Sequence, residues 1–150
     1  MLLNMLLAFL TAMFTGVTLR TPPSAWIPVG FTGMLGWMAI QGLPLLKMPE
    51  LVAAVTSGIV IGAFAEIMAR IQKHPVTIYI VSGIIPLVPG ITAYNSMLSF
   101  LNKQFNNGLF LTFKAFLLAS YIAAGLAIVP VVVRYFRSLL SRAHGKAIDN

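Results

Sequence analysis

The residues best suited to do chemistry form one stretch, Pro86-Leu87-Val88-Pro89-Gly90-Ile91-Thr92-Ala93-Tyr94-Asn95. Its two prolines each remove a backbone donor and crowd the preceding turn. Gly90 follows, with freedom in φ and room for another group to approach the backbone. A helix restarting near Gly90 leaves the N–H groups of Ile91, Thr92 and Ala93 unpaired. Those donors, with the helix dipole, favour an anion such as a carboxylate. Thr92 and Asn95 add side-chain hydrogen bonds, and Tyr94 offers an apolar wall with a polar tip. Pro86, Pro89, Gly90, Thr92, Tyr94 and Asn95 are therefore the expected substrate-binding residues. The simpler alternative is a kinked helix whose freed carbonyls bond to nearby Ser or Thr.

Two charged residues fall inside apolar stretches. Glu66 is the only acid in Gly62-Ala-Phe-Ala-Glu66-Ile-Met-Ala-Arg70. A buried carboxyl is costly when charged and tends to neutralise, which makes Glu66 a candidate proton carrier. Arg70 lies four residues on, so an ordinary ion pair is the competing reading. Lys114 either snorkels to an interface or faces inward and attracts an anionic substrate. His74 and His144 are far apart and no acid cluster accompanies them, so no metal site is expected. No cofactor motif appears, and no Ser has a visible base, so enzymatic catalysis has no support. Cys is absent, which excludes disulfides and thiolate chemistry.

The elements that must position these residues follow from composition. The chain is 59% hydrophobic and only 9% charged over 150 residues. Soluble domains carry about 25% charged residues, and a chain this small cannot hide so much apolar surface in a globular core. An all-α, polytopic membrane helix bundle is expected. Five segments approach the roughly 20 apolar residues needed to span: Leu2–Leu19, Ala25–Leu43, Leu51–Ala69, Val76–Leu101 and Leu109–Val133. The fourth contains the break at Pro86-x-x-Pro89-Gly90. In lipid, broken backbone persists only where protein or a water-filled cavity covers it, and such helices often form transporter sites. The first segment lacks a basic n-region and a convincing cleavage site, so it reads as a retained helix. Residues 1–133 form the expected bundle and residues 134–150 a basic cytoplasmic tail.

The net charge of +7 follows membrane topology and gives no support to nucleic-acid binding. With five crossings and the N-terminus outside, seven of the ten basic residues fall on the cytoplasmic side: Arg20, Arg70, Lys73, Arg134, Arg137, Arg142 and Lys146. A re-entrant fourth segment would separate the Arg70/Lys73 pair from the tail. A full crossing is therefore favoured. Trp26 suits an interfacial anchor, and the tail an interfacial helix attracted to anionic lipids or a partner surface. Small residues mark helix contacts: Gly58 and Gly62 as GxxxG, Gly30/Gly33/Gly36, and Ala115/Ala119/Ala123. These predict internal packing, with a homo-oligomer as the alternative. No internal repeat supplies a second half, so another chain or further copies are expected.

His74-Pro75 followed by Ile85-Pro86-Leu87-Val88-Pro89-Gly90-Ile91-Thr92-Ala93-Tyr94 resembles the signature of the threonine/serine exporter (ThrE-like) family. The likeness is to the small subunit of its split, two-gene form. The resemblance implies a bacterial inner-membrane exporter of small carboxylate-bearing metabolites, threonine and serine or dicarboxylates such as succinate. It implies proton coupling and a second membrane subunit with a cytoplasmic domain. It places a possible role on Pro86, Pro89, Gly90, Thr92 and Tyr94. The competing function is a non-catalytic scaffold that stabilises a partner membrane protein.

Overall fold

The computed structural model describes the backbone of residues 2–45 and 47–145, and side chains through residue 135. It is an all-α bundle: α1 (Leu2–Thr18), α2 (Trp26–Leu45), α3 (Glu50–Gln72), α4 (Val76–Ile84), α5 (Gly90–Leu101) and α6 (Phe105–Gly145). A short 3-10 turn, Ile85–Leu87, extends α4. The five expected segments correspond to α1, α2, α3, the α4–α5 pair and α6. By length and apolarity α3 and α6 each suffice to cross a membrane, and α4 with α5 suffice together, bent by 46° at the break. The 17-residue α1 is a shorter apolar helix. α6 runs without interruption past the expected tail boundary at residue 134. The side chains of Arg137, Arg142, His144 and Lys146 lie outside the described residues.

Helix ends share one device. Arg20, Lys47, Lys73 and Lys103 all have left-handed φ, between 55° and 61°. The next residue in each case bonds back to a carbonyl five positions earlier: Thr21 to Gly16, Met48 to Leu43, His74 to Ala69 and Gln104 to Ser99. This is the Schellman closure, usually built on glycine. A basic residue there offsets the negative end of the helix dipole. The turns at one end of the bundle are tied together: Gln72 Nε2 donates to the Ser24 carbonyl at 2.9 Å, and Ser24 Oγ meets His74 Nε2 at 3.1 Å. Trp26, half-buried, donates from Nε1 to the Thr21 carbonyl at 3.1 Å.

α2 is the centre, packed on α1, α3 and α4. Small side chains make this possible: the core includes Ala12, Ala25, Ala53, Ala54 and Ala65. α3 and α6 run parallel. Glu50 pairs with Lys114, Gly58 lies on Ile122 and Gly125, Gly62 on Val129, and Arg70 shares a groove with Val132 and Val133. The α4–α5 pair therefore carries the chain from the far end of α3 back beyond its near end.

The expected GxxxG contact is internal. A Cβ on Gly58 would strike the Ile122 carbonyl, and one on Gly125 the Val55 carbonyl. The expected alanine stripe of α6 is not its packing face. Ala119 and Ala123 are exposed, and the buried line is Leu118, Ile122, Gly125 and Val129. The reason is fit: the glycine at 125, not an alanine, allows backbone contact with Gly58.

Gly58→Val should lower stability by about 3 kcal/mol, the upper part of the usual overpacking range, because backbone cannot yield. Gly42→Ala meets nothing within 4 Å and should stabilise α2 by roughly 0.5–1 kcal/mol. Denaturant-induced unfolding of the purified chain measures both; equal midpoints would contradict the α3–α6 contact.

Candidate functional site

The break is built from backbone chemistry. The 3-10 turn closes with Val88 N–H donating to the Ile85 carbonyl. Pro89 then sits at φ −73°, ψ 52°, with Gly90 N–H bonded to the Val88 carbonyl at 2.7 Å. This is an inverse γ-turn, which redirects the chain within three residues. α5 starts at Gly90. Ala93 N–H is satisfied by the Pro89 carbonyl at 3.0 Å, so it is not among the free donors the sequence predicts. Ile91 and Thr92 have no backbone acceptor among the described residues.

Gly90 departs from the expectation in its torsion and agrees with it in the room it leaves for another group. No glycine in the described chain has positive φ, so Gly90 supplies no special torsion. A Cβ there would meet nothing within 4 Å. Its contribution is open space at the start of α5.

That space is a cavity of about 480 Å³. Pro86, Pro89, Gly90 and Thr92 line it, as do Trp37, Gln41 and Glu50. The volume falls within the roughly 300–1,000 Å³ range of small-molecule sites. Tyr94 and Asn95 are not brought to it. Both are exposed on another face of α5, Tyr94 at 65%. Ser96 and Ser99 turn toward α6. Ser96 Oγ lies 2.6 Å from Thr112 Oγ1 and donates to the Gly108 carbonyl, and Asn107 Nδ2 donates to Ser99 Oγ at 3.1 Å. The polar residues after the break thus divide between cavity, hairpin and outer face.

The chain matches the family model described as threonine/serine exporter, ThrE, over residues 4–132. It belongs to the ThrE threonine/serine exporter family. No curated protein and no solved structure matches it. The family is one of transporters.

Sequence reasoning missed Trp37, Gln41 and Glu50. Glu50 follows Pro49 and resembles a loop residue, yet it opens α3. Its carboxylate holds Lys114 Nζ at 2.8 Å. Lys114 is therefore neither free at an interface nor part of the break cavity. It lines an adjoining cavity of about 380 Å³ that shares Glu50 and Leu118 with the first. The signal available was the pairing of two lone charges at the same end of two apolar helices. Glu66 meets Arg70 at 3.5 Å. Its side chain is 19% exposed and lines an apolar groove of about 360 Å³ between α3 and α6.

Gly90→Ala should leave folding and flux close to those of the unaltered chain. Gly90→Leu should leave folding intact and reduce export at least tenfold, because the side chain enters the cavity. Flux in vesicles, together with the melting temperature, checks this. A Gly90→Leu chain that is stable and fully active would remove the cavity from the transport route.

Proposed function

We propose that this chain is the membrane subunit of an exporter of small carboxylate-bearing metabolites, binding them at the broken α4–α5 helix. The observation that carries the reading is the cavity at the break in a ThrE family chain. Thr92 and the free N–H groups of Ile91 and Thr92 offer donors suited to a carboxylate. The substrates are threonine and serine or dicarboxylates such as succinate. Tyr94 and Asn95 contribute through a face that a second chain would cover.

The need for that second chain has a physical basis. α5 packs mainly on α6, and its other faces expose Ile91 at 80% and Tyr94 at 65%. Gln41, Glu50 and the unpaired amides lie beside an open cleft. Polar groups at membrane depth need protein or water around them. A partner membrane subunit with a cytoplasmic domain, or a further copy of this chain, supplies the cover. Anionic lipids attend the basic tail.

The chain lies in the bacterial cytoplasmic membrane, N-terminus outside and C-terminus cytoplasmic. Two helices that cross in the same sense need a return crossing between them, and α4–α5 is the chain available for it. Arg20, Arg70, Lys73 and Arg134 gather at one end, and Lys47 and Lys103 at the other. The richer end is the cytoplasmic one. Export draws on the proton gradient, with Glu66, in its groove between α3 and α6, as the candidate proton carrier.

Single cysteines replacing Asn106 and Ser24, at opposite ends of the bundle, test the orientation. An impermeant thiol reagent should label position 106 from outside and spare position 24; the reverse pattern refutes it. Glu66→Gln tests the coupling. It should abolish export driven by a pH gradient and retain part of the substrate exchange. If Arg70→Gln gives the same defect through lost stability alone, Glu66 is a structural ion-pair partner and not a proton carrier.

A further inference from the structure

We propose that Glu50 selects a zwitterionic amino acid at the break by binding its α-ammonium in exchange for Lys114. The inference rests on the break cavity being the transport site and names the substrate class within it. Among the described residues that line this cavity, Glu50 is the only one that carries a charge. A dicarboxylate would bring a second negative group against it. Lys114, which lines the adjoining cavity, offsets the carboxylate only while the two are paired, and a dicarboxylate has no ammonium with which to take its place.

The carboxylate already holds the chemical group in question. Lys114 Nζ is a primary ammonium, and it sits 2.8 Å from Glu50 Oε2. The α-ammonium of an amino acid has the same charge and the same three donors. The exchange is accessible to a solute. Glu50 is 52% exposed and Lys114 39%, so the pair lies open at the edge of the two cavities and is not sealed in the bundle. Thr92 lines the same cavity from a different helix and can take the carboxylate end. The two ends of a zwitterion then have separate partners, an acid on α3 and a donor on α5. Lys114 acts as a resident competitor that keeps Glu50 satisfied when the site is empty.

The test uses membrane vesicles from cells producing the full chain in its natural complex. Apparent affinities are measured for L-serine, for glycerate, which carries a hydroxyl in place of the ammonium, and for succinate. The unaltered complex should prefer serine to both. Glu50→Gln keeps the side-chain shape and removes the charge. It should weaken serine at least tenfold and leave glycerate and succinate unchanged or improved. Lys114→Met removes the competitor and should tighten serine several-fold. A Glu50→Gln complex that weakens all three alike, or none, overturns the proposal. So does a Lys114→Met complex with weaker or unchanged serine affinity, which also decides the matter if Glu50→Gln fails to assemble. Preference of the unaltered complex for succinate overturns the role of Glu50 while leaving the carboxylate site standing. Transport of none of the three defeats the transport reading itself, and this assignment with it.

Discussion

The contact on which the rest of the structure depends is the close approach of α3 and α6 at Gly58 and Gly125. With no side chain on either residue, each backbone touches the other: the Cα atom of Gly58 lies about where a Cβ on Gly125 would meet it. Membrane helices lack a hydrophobic force between them, so such close packing is what holds a pair together. Here the pair is parallel. That one fact dictates the path of the intervening chain, which must return along the bundle. It also sets the register that brings Lys114 level with Glu50. The alternative stripe, Ala115/Ala119/Ala123, would rotate α6 and separate that ion pair.

The break can be understood from the same constraint. A straight return helix would pack along its whole length against its neighbours. α4 does so, lying on α2, α3 and α1, with Tyr79 fully buried. After the turn at Pro89 the chain leaves them and follows α6 instead. Packing α5 on α6 uses Ser96, Ser99, Asn107 and Thr112 as a polar clasp between two otherwise apolar helices. The cleft at the break is what remains where α5 has moved off α2. It exists because two sets of contacts, one apolar and tight and one polar and local, cannot both be satisfied by a straight helix.

Much of this was legible in the residues, for reasons that differ by feature. Apolar run length located the five helical segments, since it is a one-dimensional property, although only α3, α6 and the α4–α5 pair are long and apolar enough to cross a membrane. Pro86, Pro89 and Gly90 announced the break because proline acts on its own backbone wherever it sits. What escaped was tertiary. Periodicity could not decide which small-residue line of α6 meets α3, because alanine and glycine lines lie on neighbouring faces. Glu50 was hidden because an acid after proline at a helix start usually needs no partner beyond the dipole. Trp37 and Gln41 carry no local signal of their own, and reach the cavity only through the placement of α5. The basic Schellman ends were also unreadable, since the motif normally advertises itself through glycine.

Charge placement links these observations. The described chain has two acids, Glu50 and Glu66, and each has a basic partner. They differ in how the partner is supplied. Arg70 is on the same helix as Glu66, one turn away, and stays within reach whatever the other helices do. Lys114 reaches Glu50 from another helix, so that pair depends on the relative position of α3 and α6 and borders two cavities at once. An intrahelical pair can settle a charge without reporting on anything else. An interhelical pair at the edge of a cleft responds both to what enters the cleft and to movement of its walls. Of the two carboxylates described in this bundle, Glu50 is thus the one whose ion pair joins two helices at the border of two cavities, although Glu66 is the one that stands out when the residues are read in order.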